Sequence, residues 1–222
     1  MLGGGSARYD IGQGDGRSWR QTSRMKHAVI VAHPNATSFT CARAQAYAHA
    51  ARGLGHDVIE RDLYRMRFDP CLKAAELPGS HRPRFGADVQ AERALLEDTD
   101  VLAFIYPLWF NAPPAILKGY VDRVLSMGFG YEPTPGGTGP RLTNTRLISF
   151  TTSGAPEAWV RDTGALSALD RLFDAHLAGV CGLSIVDHVH EGGIVQGLTP
   201  EAGEATLAAV RSIVRRHFGP GG

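Results

Sequence analysis

Only three cysteines occur in the 222 residues, Cys41, Cys71 and Cys181, and they are far apart with no CxxC pair. An odd, scattered set excludes a disulfide framework and a thiolate metal site, and it fits a reducing, cytoplasmic compartment. No apolar run approaches the roughly 18 residues that a membrane helix requires. Nor is one sign of charge in excess: 23 Lys and Arg against 22 Asp and Glu leave a net charge of +1. That balance supplies no basic surface for nucleic acid. It also lacks the single-sign field with which small electron carriers steer towards partners. Neither GxGxxG nor GxxxxGK[ST] occurs, so neither a Rossmann fingerprint nor a nucleoside-triphosphatase loop is supported. No internal repeat is present.

What remains is an ordinary globular composition, 43% apolar and 20% charged, at a length that suits one core. The first 24 residues are rich in Gly, Ser and Arg and have no hydrophobic period. Such a segment cannot bury enough surface to offset its ordering entropy. Met25 immediately precedes the first strong strand, so residues 1–24 are expected to be a disordered or non-native extension and residues 25–219 the folded domain.

Strand and helix patterns then alternate. Short apolar runs at 28–32 and 101–106 have the continuous character of strands covered on both faces. Weaker strands are expected at 58–61, 147–152 and 183–189. Helices are expected over 40–53, 88–98, from the Pro113-Pro114 pair to about Met127, over 163–180 and over 200–218. Residues 64–86 are irregular, and the Gly- and Pro-rich stretch 128–143 is expected to be a long loop. Five strands alternating with five helices imply an α/β fold, a doubly wound parallel sheet with helices on both faces.

In such a sheet, ligands bind beyond the carboxyl ends of the strands, where strand order reverses. Three turns leave the strands there. The first runs from His33 to Thr40 and places short polar side chains, with Thr37 or Ser38 as cap, at a helix N-terminus. That arrangement suits a phosphate, although capping alone also explains both residues. The second, Pro107-Leu108-Trp109-Phe110-Asn111 on to Pro114, sets two aromatic rings in a proline-stiffened turn. They can form a flat wall for a planar heteroaromatic ring, or pack under a neighbouring loop. The third, Thr151-Thr152-Ser153-Gly154, offers hydroxyls and free backbone to the polar edge of such a ring, as many strand ends do. His188 and His190 share one face of the last strand, but without an evident third ligand no metal site is assigned. Lys118 and Arg123 are expected to face solvent or be paired, and Cys181 to begin a strand, buried and inert.

Taken in order, these turns resemble the NAD(P)H:quinone oxidoreductase family, the group of DT-diaphorase, modulator of drug activity B and the ancillary subunits of potassium-efflux systems. The likeness is carried by Ala32-His33-Pro34 through Ser38-Phe39, by Asp62-Leu63-Tyr64 through Pro70, by Tyr106-Pro107-Leu108-Trp109-Phe110, and by Pro114 to Tyr120 with Asp122-Arg123-Val124. The resemblance implies a flavodoxin-like fold of strand order 2-1-3-4-5, a flavin (FAD, with FMN possible), NAD(P)H as co-substrate, and a homodimer with active sites at its interface. It implies two-electron, ping-pong reduction of a quinone, nitroaromatic or azo compound. A regulatory role beside a membrane potassium-efflux transporter, with no insertion of this chain into the membrane, is the alternative. By position, His33, Ser38, Phe39 and Thr40 would hold the phosphate side, Pro107, Leu108, Trp109, Phe110 and Asn111 the ring, and Thr151, Thr152, Ser153 and Gly154 its polar edge. Tyr131 and Trp159 would line the substrate space. Two positions depart from DT-diaphorase: where that enzyme has a tyrosine and a histidine, this chain has Trp159 and Ala165, neither able to move a proton near neutral pH. Catalytic residues stay unassigned, as does the choice of NADH or NADPH, with Arg161 the candidate contact for a 2′-phosphate.

Overall fold

A computed structural model describes residues 24–78 and 82–220. Residues 1–23 of the expected extension lie outside the described residues. Arg24, counted within that extension, pairs with Asp57.

The strands are β1 (Lys26–Val31), β2 (Asp57–Asp62), β3 (Val101–Pro107), β4 (Tyr131–Thr134), β5 (Gly137–Pro140), β6 (Arg146–Thr152) and β7 (Ser184–Glu191). The helices are α1 (Phe39–Gly53), α2 (Ala87–Leu96), α3 (Ala115–Val124), α4 (Glu157–Asp162), α5 (Ala165–Leu169), α6 (Ala175–Cys181) and α7 (Pro200–Phe218). Five strands form one parallel sheet in the order β2-β1-β3-β6-β7. Counted along that sheet, this is the expected 2-1-3-4-5, and the order reverses between β1 and β3.

Period-two alternation sends successive side chains to opposite faces. Ala28, Ile30, Leu102, Phe104, Tyr106 and Leu147 pack under α2, α3, α5 and α6, while Val29, Val31, Val101, Ala103, Ile105, Ile148 and Phe150 pack under α1 and α7. All seven residues of β3 are buried, which is why its run carries no polar alternation. Two helices start at side-chain caps: Ser38 accepts from the Cys41 amide, and Thr199 accepts from the Ala202 amide.

The structure corrects three expectations. The stretch 128–143 is not a plain loop: β4 and β5 pair as an antiparallel hairpin across the Pro135-Gly136 turn. The helix expected over 163–180 is broken. It turns at Gly164, whose φ of 74° is left-handed, and then winds as a π segment over Asp170–Asp174 before resuming as α6. Cys181 ends α6 rather than beginning a strand; it is buried, and burial pushes its thiol up to about 11. Among its described residues the excursion 64–86 holds one short 3-10 turn, Ala74–Glu76, and it lies hard against α3. A Cβ on Gly119 would stand 2.2 Å from the Pro70 carbonyl oxygen, so only glycine allows that approach.

Candidate functional site

The three turns meet at the carboxyl edge of the sheet. The His33 and Trp109 rings lie 6.0 Å apart, linking the first turn to the second. The Leu108 amide donates to the Thr152 carbonyl at 2.7 Å, linking the second to the third. Further along, Asn111 Nδ2 donates to the Ala165 carbonyl at 2.8 Å, and the Ile194 amide donates to the Ser153 carbonyl at 2.9 Å. His33, Pro107 and Thr151 therefore begin segments that border one another.

Each turn has its own local cause. In the first, Asn35 Oδ1 accepts from the Thr37 amide and hydroxyl, and His33 Nδ1 accepts from the Asn35 amide at 3.0 Å. Arg65 closes it from outside through the Pro34 carbonyl. Ser38 caps α1, whose first amides, those of Phe39 and Thr40, have no preceding helical turn to accept from them. The side chain of Thr40 itself is buried.

In the second turn, Phe110 and Asn111 both hold left-handed backbone, with φ of 49° and 55°. Non-glycine residues rarely do so, and such strain concentrates at ligand sites. Phe110 is fully exposed and Trp109 is 40% exposed. The two rings do not pack under a neighbouring loop; they form an apolar surface open to a ligand. In the third turn, Thr151, Thr152 and Ser153 are buried, and Ser153 donates its amide to the Glu191 carbonyl.

Trp159 lies on α4 with its indole exposed, and Val195, beyond β7, is exposed as well. Ala165 contributes its carbonyl to Asn111 rather than any side-chain chemistry. Arg161 is exposed and paired with Glu157. Tyr131 stands apart from the three turns. It lies on β4 and lines a cavity of about 210 Å³ with Lys118, Leu125, Leu172, His176 and Cys181. Lys118 pairs with Asp122, and Arg123 is buried among acidic partners.

Four residues near the turns carry roles that the sequence did not reveal. Arg43, on α1, is buried and donates to the Thr151 carbonyl at 2.7 Å, while its Nε and a second guanidinium nitrogen have no hydrogen-bond partner among the described residues. Burial brings its guanidinium down to about 10, with Glu191 opposing. Its sequence signal is an arginine in an Ala-rich helix that also carries Arg52, and nothing local marks it as buried. Asp174, fully buried, is turned towards β6 and β7 from the π segment. It accepts from the Ser149 hydroxyl at 3.1 Å and contacts His188 Nδ1 at 2.7 Å. His188 and His190 do share a face, as period two requires, and both contact the Thr151 hydroxyl, at 2.9 and 3.0 Å.

Asp170, Asp174 and His188 bring three ligand-type atoms within 4.8 Å of one another. The shortest approach, between Asp174 and His188, is a hydrogen bond. Beside this group, the Tyr106 hydroxyl is buried without a partner among the described residues, and burial, then the Asp174 carboxylate, pushes it well above its ordinary range. Replacing it (Tyr106→Phe) removes an unsatisfied donor, and the expected result is a gain of about 1 kcal/mol in urea unfolding.

These residues fit a planar aromatic cofactor with an anionic tail. Arg43 supplies a buried positive charge with two unmet donors beneath the third turn, α1 supplies orphan amides beside the first, and Trp109 and Phe110 supply an uncovered apolar wall.

Comparisons with known proteins agree with this geometry. A family model described as the flavodoxin-like fold matches residues 25–217. An uncharacterized NAD(P)H oxidoreductase of Haemophilus influenzae is 35% identical over 164 residues, covering 73% of this chain and 81% of that protein. NAD(P)H dehydrogenase (quinone) 1 of Rattus norvegicus is 33% identical over 145 residues, covering 57% of this chain and 53% of that protein, so the match spans about half the rat protein's length. Among solved structures, NAD(P)H:quinone oxidoreductase from Methanothermobacter marburgensis is 27% identical and superposes with a TM-score of 0.76 over 87% of this chain and 97% of its own. With the sheet order, the matched span and the relatives in agreement, the chain belongs to the flavodoxin-like family, in its NAD(P)H:quinone oxidoreductase branch.

Proposed function

We propose that this chain is an NAD(P)H-dependent flavoprotein oxidoreductase that reduces quinones or similar small acceptors by two electrons in a ping-pong cycle. The observation that carries this reading is the second turn, where the uncovered pair Trp109 and Phe110, the latter in left-handed backbone, stands between the first and third turns. A flavin held by these turns would supply the hydride chemistry between NAD(P)H and the acceptor. The protein's part is to hold and orient. The amides of Phe39 and Thr40 face the phosphate side, Leu108, Trp109, Phe110 and Asn111 border the ring, and Thr151 to Gly154 border its polar edge. Arg43 holds positive charge below the site, and Trp159 and the apolar rim exclude water.

FAD is the first choice of flavin and FMN the second. A homodimer belongs to the same reading, because Tyr131 lies away from the three turns of its own protomer and would serve a partner's site; sedimentation velocity tests that. Purified protein should be yellow and should bleach anaerobically with NADH or NADPH. Mass spectrometry of the released flavin then identifies it. A colourless preparation indifferent to added FAD and FMN would end the case. The Trp109→Ala variant is expected to weaken flavin binding roughly tenfold, equivalent to about 1.4 kcal/mol, as measured by fluorescence titration.

A further inference from the structure

A line of polar contacts runs from the third turn into the protein. Ser153 Oγ donates to the Ala155 carbonyl at 2.9 Å and contacts His190 Nε2 at 3.1 Å. His190 Nδ1 contacts Thr151 Oγ1 at 3.0 Å, Thr151 Oγ1 contacts His188 Nε2 at 2.9 Å, and His188 Nδ1 contacts Asp174 Oδ2 at 2.7 Å. Ser153, His190, Thr151 and His188 each have one such contact on either side and Asp174 ends the line, so the direction of each bond follows from that of its neighbour.

The Ala155 carbonyl only accepts, which fixes the Ser153 proton on that side. His190 Nε2 must then donate to Ser153. Burial, and next the neighbouring His188, bring the His190 imidazole down to about 4, so it carries a single proton near neutral pH. Its Nδ1 therefore accepts from the Thr151 hydroxyl. That hydroxyl has only one proton, so it accepts in turn from His188 Nε2–H. The remaining contact, His188 Nδ1 with Asp174, then holds one proton more than a bare carboxylate and a neutral ring together carry. Without that proton every donor in the line reverses, and the Ser153 bond to Ala155 is lost. The line has two orientations that differ by one proton.

We propose that Asp174, His188, Thr151, His190 and Ser153 form a proton file, loaded at the Asp174–His188 pair, that delivers a proton to the edge of the site during acceptor reduction. This rests on the redox reading above, and it supplies what Trp159 and Ala165 cannot. Reduction of a quinone to its hydroquinone takes a hydride from the reduced cofactor and one proton. In the release step Ser153 gives up its hydroxyl proton to the reduced acceptor. Ser153 takes the His190 Nε2 proton, His190 takes the Thr151 proton at Nδ1, and Thr151 takes the His188 Nε2 proton. His188 is left as a neutral Nδ1–H ring donating to the Asp174 carboxylate. One proton has left, no electron has moved within the file, and water reloads it at His188, whose side chain is 10% exposed. The π segment fits this role, because Asp174 is its last residue and such segments recur at functional sites. Asp174, His188, Thr151 and His190 act through Ser153 and are positioning residues.

The test has two arms. In ¹⁵N-histidine-labelled protein at pH 7, without cofactor, long-range ¹H–¹⁵N spectra should show both His188 and His190 protonated at Nε2, with His190 Nδ1 bare. Both rings protonated only at Nδ1 would overturn the proposal. In the flavin-loaded protein, Thr151→Val interrupts the file at its centre. Stopped-flow measurement should show the quinone half-reaction falling at least tenfold more than the NAD(P)H half-reaction, with a changed solvent isotope effect. Thr151→Ser should restore most of the loss, and Asp174→Asn should repeat it. Equal slowing of both half-reactions, or no slowing, would overturn the proposal while leaving the flavoprotein reading intact. A protein that shows the expected tautomers but binds no flavin would overturn both, reducing the file to a buried structural network.

Discussion

Replacing Arg123 with alanine is expected to lower stability by about 3–5 kcal/mol, the range for breaking a buried ion pair from one side. Arg123 is 2% exposed, and it donates to both Glu76 carboxylate oxygens at 2.7 and 2.9 Å, to both Asp88 oxygens at 2.6 and 3.2 Å, and to the Asp69 carbonyl at 2.6 Å. Its guanidinium also lies over the Phe68 ring. The two carboxylates hold its proton more tightly than in water, and Arg123 holds both of them below the usual carboxylate range. Glu76 is just as buried, so truncating Arg123 leaves a carboxylate charge without solvent or counter-charge, held only by backbone amides such as that of Lys73. The double variant Arg123→Ala with Glu76→Ala should lose less than the sum of the single losses, because the stranded charge is gone. Equilibrium unfolding in urea measures all three. A loss below 1 kcal/mol for Arg123→Ala would show that the pair is not sealed from water.

The consequence reaches the site. Asp69, Glu76 and Asp88 come from the excursion 64–86 and the start of α2, and Arg123 ties them to α3. That helix begins where the Trp109–Phe110 turn ends. Loosening the clamp is expected to weaken flavin binding even though no residue in it borders the site.

How much of this was legible depended on whether the signal was local. The buried run of β3 and the cap at Ser38 act over a few residues, and they located their elements to within one or two positions. The last helix matched its expected bounds, since Pro200 starts it and Gly219 follows it. The β4–β5 hairpin escaped because its second strand is Gly137-Thr138-Gly139-Pro140, a composition that signals loop and forms strand only by pairing with Tyr131–Thr134. The break in the expected helix escaped because a π segment is a change of hydrogen-bond register, to which an apolar period is nearly blind. With the register went Asp174: nothing local distinguishes it from Asp170, half-buried one turn earlier. His188 and His190 were visible as a same-face pair, but what they contact is set by strand pairing with Thr151. The three turns could be aligned as separate motifs, whereas their mutual contacts, and the exposure of Phe110, are tertiary facts.

Acid should destabilise this protein well above the pH at which carboxylates titrate, and the cause is two buried histidines. His27 is fully buried on β1. Its Nδ1 meets the Tyr47 hydroxyl at 2.8 Å, its Nε2 has no hydrogen-bond partner among the described residues, and it is walled by His56 and Phe218. Burial, then the charges of His56 and Arg146, bring it down to about 3, while His190 falls to about 4 for the reasons already given. An unfolded histidine titrates near 6.5. Above that value both states are neutral and the stability is fully present. As pH falls below it, the unfolded chain takes up protons that the folded chain refuses, and each histidine costs about 1.4 kcal/mol per pH unit until its folded value is reached. Urea midpoints measured from pH 7 to 4.5 should therefore fall steadily. Glu76 and Asp88, whose lowered values contribute stability above the normal carboxylate range, add their own loss only below about 4.5. The His27→Gln variant carries no titrating group at that position. Whatever its stability at pH 7, its slope between pH 6 and 4.5 should be shallower than the parent's by about 1.4 kcal/mol per unit. Parallel slopes for the two proteins would mean that His27 takes up its proton in the folded state, which its sealed position between Tyr47, His56 and Phe218 does not permit.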